Sequence, residues 1–518
     1  MNCVCLKSKK DIFEDIVYHL CVVIAFVLLC INLWTCSFYT IWNDEAYSIG
    51  IMNHSYLSLI VNVAGDVHPP LYYLILKFLA DPLCAIFPFI SQILIAKFVS
   101  MIAFIALFYF AVHKLSKVLP KTVVGLFLLS IFCFASLKDL TTSIRMYSFA
   151  TLFVVVQFYY FVKIIKFGET KKDWWKFILF FELSAYSHNF SLVASGLLFV
   201  FLIVFYFIKQ KEKLKQSLKY LLYAALIYLP WFAVLIFQMV TIQNNYWIDE
   251  LTLKSVMHIL EYFLVPAGLN LSKTATIVWV FASIFVYLVM FIFNILNKKL
   301  SIETKWIISA GYFVALIWFL FGIIFSVLIN PILVERYTDV LIYIFYLSVC
   351  LNFYYFFDLV TGYFKSVKIQ IIVPCVMAIL SCVTMVFAFC STIFNFKDEQ
   401  IKNEYYYENC KLIESTDNAI IMLDDINTQT MFDGLYQKYG MTYSFGYQST
   451  WWENIQQVQH KELTSETIKD KLGSGEVVLY FTFNENNISK LENEGVLFEF
   501  VGKTIIGTSN VKIYKLSL

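Results

Sequence analysis

Apolar residues recur along this chain in runs about twenty residues long, separated by short polar stretches. A run of that length, carried as a helix, crosses the roughly 30 Å hydrocarbon core of a bilayer. Eleven spans are expected, near 16–37, 92–112, 122–138, 148–166, 174–188, 190–208, 218–238, 274–296, 305–328, 338–358 and 369–393. The polar stretches alternate in lysine content. The N-terminus, Lys114 to Lys121, Lys163 to Lys176, Lys209 to Lys219, Lys298 to Lys305 and Lys365 to Lys368 are the rich ones. Positively charged loops stay on the cytoplasmic side. The loops 38–91, 139–147, 189, 239–273 and 329–337 are therefore expected outside, with everything after about 395.

Residues 69–91 are apolar enough to span as well. Counting them would turn the three lysines of 113–121 outward, and they contain Lys77, Asp81, Pro82 and Pro88. They are expected instead as an interfacial or re-entrant helix on the outer face. Two neighbouring spans nearly touch at His188–Asn189, so the expected count is 11 to 13.

Past about 395 the pattern changes. Strand-like runs at 418–423, 476–483, 496–501 and 505–516 alternate with helical stretches. The expected organisation is an α-helical polytopic membrane domain, 1–394, and a small extracytoplasmic α/β domain, 395–518.

Composition agrees: 60% of the 518 residues are apolar and 15% charged, which excludes a soluble enzyme. A net charge of +2, with no basic run interleaved with aromatics, gives no reason to expect nucleic acid. The 12 cysteines are scattered without a C-x-x-C pair, so neither a disulfide framework nor a zinc site is expected. The first apolar run follows Lys7, Lys9 and Lys10 and lacks a small-residue cleavage site, which suits a retained helix.

Candidate chemistry gathers on the outer side. Asp44 and Glu45 stand together in WNDEAYS, directly after the first span. Adjacent carboxylates at a membrane boundary are costly when desolvated, unless a cation holds one ionised. GDVHPPLYYLILK places His68, beside Asp66, before two prolines that extend the backbone and then open a helix. Only two of the 39 basic side chains are arginines, Arg145 in SIRMYSF and Arg336 in ERYTDV, each beside a tyrosine (Tyr147, Tyr337) and each opening a span. Arginine grips phosphate or carboxylate with a planar fork that lysine lacks. An interface anchor in a tyrosine belt is the plainer role for either one. His188 at the tight turn and Trp247 in a later outer loop are further candidates. A transporter would place such groups nearer the bilayer midplane. Clustering at one interface suits a substrate with an apolar tail in lipid and a phosphate at the surface.

These strings resemble the protein O-mannosyltransferase family and its bacterial relatives, including the transferases that attach aminoarabinose to lipid A. All belong to the GT-C class of glycosyltransferases that use polyprenyl-phosphate sugars. The likeness is most specific in WNDEAYS and DVHPPL. It extends more loosely through IAKFVS, Arg145-x-Tyr147, Leu229-Pro230-Trp231 and Glu335-Arg336-Tyr337, over roughly residues 15–395. It implies a GT-C fold with outer juxtamembrane helices and puts the family's catalytic acid on Asp44. Glu45, His68, Lys97, Arg145, Tyr147, His188, Arg336 and Tyr337 then become substrate-binding candidates. Lys97 stands where the family often has arginine. The loop 239–273 is too short for the sugar-binding insert of the eukaryotic members, so a protein acceptor of their kind is not implied.

The implied reaction is inverting transfer from a polyprenyl-phosphate sugar to an acceptor hydroxyl of a glycan, lipid or protein, at the outer face of the cell membrane. Glu45 would position the acceptor or hold a cation of the site. No cofactor is demanded, and a divalent ion on Asp44 and Glu45 lacks an evident third ligand. The rival readings are a lipid-linked-sugar flippase or transporter, and a glycan polymerase or ligase using a diphosphate donor.

Overall fold

The structure is a computed structural model. It describes residues 9–518 except 134–142, 169, 243–247, 267–268, 270, 364–366, 437–438, 440–441, 448–449, 458–460 and 508. Among the described residues, nine helices are long and apolar enough to cross a membrane: Glu14–Thr35, Gln92–Lys117, Tyr147–Phe167, Asn189–Lys209, Lys211–Val240, Lys273–Leu296, Ile302–Leu328, Glu335–Thr361 and Ile379–Glu414. The chain is a multi-pass membrane protein. Two expected spans are shorter helices here. Residues 122–138 give Lys121–Ser130, beyond which 134–142 lie outside the described residues. Residues 174–188 give Lys171–Ala185. Fifteen residues of helix rise roughly 22 Å, less than a hydrocarbon core.

Serine and threonine start many of these helices. Ser91, Thr170, Ser272 and Ser301 each accept a backbone N–H of the first turn, satisfying donors that have no partner within the helix. Burial then separates a centre from a periphery. Tyr147–Phe167 is almost wholly enclosed, whereas Lys273–Leu296 is mostly exposed along its length, as a lipid-facing helix would be. The enclosed helix begins two residues after Arg145, so the arginine is carried at the rigid centre of the bundle.

Between α1 (Lys9–Thr35), which contains the first span, and the second span, the chain makes three short helices, α2 (Asn43–Asn53), α3 (Tyr56–Ala64) and α4 (Leu71–Ile86). The last, with Pro82 inside it, occupies the segment expected to lie at the interface.

The C-terminal unit is a six-stranded sheet in the order β3-β2-β1-β4-β6-β5. Its strands are β1 (Ala419–Leu423), β2 (Tyr443–Ser444), β3 (Lys461–Glu462), β4 (Val477–Thr482), β5 (Leu497–Ile506) and β6 (Ser509–Ser517). The first four are mutually parallel; β6 runs antiparallel to β4 and β5, with Tyr480 opposite Tyr514. Period-two alternation divides the sheet's residues between two cores. Ile421, Leu423, Leu479 and Phe481 join the core of the helical bundle, while Met422, Val478 and Tyr480 face a small separate core. The helix Val367–Glu414 runs unbroken from the bundle to the start of the sheet.

Candidate functional site

The site begins with the direction of two adjacent side chains. In a helix, neighbours point about 100° apart. Asp44 and Glu45, at the start of α2, therefore face different surroundings. Glu45 turns inward and is 5% exposed. Its Oε2 accepts the Trp42 N–H at 3.0 Å, folding back over the helix start, and its Oε1 accepts the Ile144 N–H at 2.7 Å. Burial pushes its pKa up to about 7, against the pull of the Lys97 charge and the two backbone donors. Both Glu45 oxygens are thus taken by backbone donors, one at the start of α2 and one in the segment carrying Arg145.

Asp44 turns toward the cations. Its Oδ2 lies 3.0 Å from Arg336 Nη1 and 3.5 Å from Arg145 Nη2. The Asp44 and Arg336 side chains are about a quarter exposed, whereas that of Arg145 is buried. Arg145 is held on several sides: Nη1 donates to the Asp44 carbonyl at 3.0 Å and reaches Ser48 Oγ and Tyr73 OH at 3.4 Å each. Arg336 lies in the short 3-10 helix Glu335–Thr338, with its guanidinium 5.1 Å from the Trp42 ring centre and 5.8 Å from that of Tyr337. One arginine is buried among its partners; the other, a quarter exposed, rests on an aromatic shelf.

His68 completes the inner side. Arg145 Nη2 sits 3.0 Å from His68 Nε2. Guanidinium only donates, so Nε2 accepts and the neutral ring carries its proton on Nδ1. Burial holds the His68 pKa well below the usual value, reinforced by Arg145, His188 and Arg336. Its loop is pinned by Asn189 Nδ2 donating to the Val67 carbonyl at 2.8 Å, and by Leu71 N–H donating to the Tyr186 carbonyl at 3.0 Å. His188 caps the helix Asn189–Lys209 by accepting the Phe190 N–H on Nδ1 at 3.2 Å. Its ring lies 5.6 Å from that of His68, 5.1 Å from Tyr147 and 5.6 Å from Tyr337. Beneath this group, Asp66 is pushed up to about 6 by burial, with Arg145 pulling the other way.

A cavity of about 380 Å³ adjoins the cluster. His68, His188, Asn189, Gln238, Asn330 and Tyr337 are its polar lining, and Leu235, Met239, Phe321 and Phe325 are among its apolar walls. It lies between the helices Lys211–Ile242 and Ile302–Leu328.

The structure thus brings together Asp44, His68, Arg145, Tyr147, His188, Arg336 and Tyr337. It leaves Lys97 out. Lys97 is 1% exposed, and its Nζ donates to the Phe38 carbonyl at 2.9 Å and to Thr40 Oγ1 at 2.8 Å, while Thr40 donates on to Glu399. It fastens the 38–40 loop and offers no ammonium to the cluster. Trp247 lies outside the described residues. Trp42, Ser48 and Tyr73 belong to the site without having been singled out. Trp42 and Tyr73 stand inside the strings WNDEAYS and HPPLYY, where an aromatic looks like any residue of an interfacial belt. Among the described residues, no group of three or more His, Cys, Asp or Glu gathers to hold a metal ion.

No family model matches the chain, and no curated protein matches it significantly by sequence. Solved structures do match. The crystal structure of ArnT from Cupriavidus metallidurans bound to undecaprenyl phosphate superposes with a TM-score of 0.58 at 8% identity, covering 96% of this chain and 97% of that one. Its apo state gives a TM-score of 0.53 at 9% identity, with the same two coverages. At such identities the likeness is one of fold: the chain has an ArnT-like GT-C fold from end to end, C-terminal unit included.

Proposed function

We propose that this protein is an inverting glycosyltransferase that moves a sugar from a polyprenyl-phosphate-linked donor to an acceptor hydroxyl. The observation that carries the reading is a carboxylate, Asp44, held by two arginines beside a largely apolar cavity. The fold supports it, since its structural neighbour ArnT was crystallised with undecaprenyl phosphate.

In this reading the polyprenyl chain lies in lipid and in the apolar cavity, with the phosphate at the arginines. The acceptor hydroxyl gives its proton to Asp44 as its oxygen attacks the anomeric carbon. The bond from that carbon to the phosphate oxygen breaks with its electron pair, leaving the polyprenyl phosphate with one more negative charge. Placing a base at that hydroxyl is worth about 10²–10⁴-fold. Charge grows on the phosphate in the transition state, and preorganised cations there stabilise it without rearranging solvent. Arg336, about a quarter exposed and stacked on Trp42, is the arginine that would meet the phosphate. Arg145 stays with Asp44 and His68. The two arginines supply the required charge, so the reading calls for no cofactor. The site would lie on the outer face, with the N-terminus inside and the C-terminal unit outside.

The test is transfer in membranes from a panel of radiolabelled polyprenyl-monophosphate and polyprenyl-diphosphate sugars, with identification of the labelled product. Label leaving a monophosphate donor for a membrane or envelope acceptor is expected. Transfer from diphosphate donors only would favour a polymerase or ligase, and no transfer from any donor would end the proposal.

A further inference from the structure

We infer that the C-terminal unit is a positioning element for the acid helix, holding Asp44 in register with the arginines while contributing, among the described residues, no group to the cluster. The inference rests on the assignment of Asp44 as the base. It starts from an oddity of α2. This helix is only 11 residues long, yet eight consecutive residues, Glu45–Met52, are buried. More than two turns of helix buried on every face need walls on every side. The bundle supplies some of them; the rest come from the helices Ile426–Leu435 and Thr450–Gln456 of the C-terminal unit, which pack against α2.

The contacts fall next to Asp44. Gln456 Nε2 donates to the Ala46 carbonyl at 3.0 Å, and both residues are buried. His54, just past the end of α2, has Nε2 3.2 Å from the Ile455 carbonyl. At the start of the helix, Asn43 Nδ2 donates to Asn427 Oδ1 at 2.9 Å. Two glycines bring backbones together. A Cβ on Gly50 would lie 2.8 Å from the Ile455 carbonyl oxygen, and one on Gly434 would lie 2.9 Å from Ile41 and 3.4 Å from the Ala46 Cβ. Ala46, two residues after Asp44, is therefore touched by both C-terminal helices. Ile455, Gln456 and Gly50 are positioning residues, acting through the place at which α2 presents its carboxylate.

The test uses the full-length chain in phospholipid nanodiscs with two variants, Gly50→Ala and Gln456→Leu. Alanine is the better helix former, so Gly50→Ala favours α2 itself while driving a methyl against Ile455. Gln456→Leu removes the bond to Ala46 and keeps the bulk. Two quantities are read: the stoichiometry and Kd for undecaprenyl phosphate, and kcat and KM with the donor that the panel identifies. The expected result is one lipid bound per chain with unchanged Kd and KM, and kcat down by about 10- to 100-fold, the cost of a base displaced by a fraction of an ångström to one ångström. Wild-type turnover in both variants would overturn the inference alone. So would loss of lipid stoichiometry in parallel with kcat, which would mean the contact only maintains the fold. A wild type that transfers from no donor would overturn the glycosyltransferase reading and this inference with it.

Discussion

The Ile144 N–H donates to Glu45 Oε1 at 2.7 Å, and this bond joins the helix that presents Asp44 to the segment that presents Arg145. The acid pair therefore divides its labour, one member facing the cluster and the other setting the distance between its halves.

This arrangement has a pH signature. The Glu45 pKa rises from its usual 4.5 to about 7 in the folded protein. Between those values the folded state keeps a proton that the unfolded chain has released, so stability falls as pH rises through the window. The contribution is fully present below about 4.5 and gone above about 7, and 2.5 units correspond to about 3 kcal/mol. Thermal melts in detergent from pH 4 to 8 should show a wild-type Tm that declines across the window and a Glu45→Gln curve that is flatter there. Parallel curves would remove Glu45 from this role.

Asp44→Asn should abolish transfer, by about 10²–10⁴-fold, in protein that still folds. Its effect on the lipid has the opposite sign. In the proposed mechanism the carboxylate competes with phosphate for Arg336, so removing its charge should leave undecaprenyl phosphate affinity unchanged or tighter. Isothermal titration in nanodiscs measures this, and clearly weaker binding would mean that Asp44 shapes the lipid site.

Arg336→Lys keeps the charge and discards both the fork and the stack on Trp42. A fall in kcat/KM of about 10- to 100-fold is expected, somewhat less than the loss of a full charge-stabilising donor. Unimpaired turnover would show that a point charge suffices there.

Lys97→Met separates two roles that the sequence alone could not. The ammonium is engaged by Phe38 and Thr40. Its loss should therefore lower stability by about 1–3 kcal/mol and leave the KM for donor unchanged. A raised KM with unaltered Tm would return Lys97 to the phosphate.

What was legible in the sequence follows from what each signal encodes. Spans are written in run length, so long helices such as Tyr147–Phe167 were recognisable, and the lysine pattern separated α4 from them. Strands β1, β4, β5 and β6 have enough residues to show their pattern; β2 and β3, with two residues each, have none. Asp44, His68, Arg145 and Arg336 could be singled out because charge near a membrane is expensive. The sequence does not say where neighbouring side chains point. Glu45 stands beside Asp44 in the sequence although helical geometry sends it inward, and Lys97 occupies a string resembling the family's, whereas its partners come from a distant loop. Trp42 and Tyr73 act through shape and a hydroxyl, which no local pattern marks.

The enclosure of α2 also bears on how the chain is made. Residues 43–53 leave the ribosome long before the walls that cover them, 426–435 and 450–456, and Arg336 lies between. Contacts so distant along the chain form slowly, because long loops must close before they are rewarded. Until those walls have been made, α2 is covered only on the sides that the bundle supplies. On the positioning role inferred above, a chain cut short before residue 450 should sit in the membrane with its arginines in place and its carboxylate out of register.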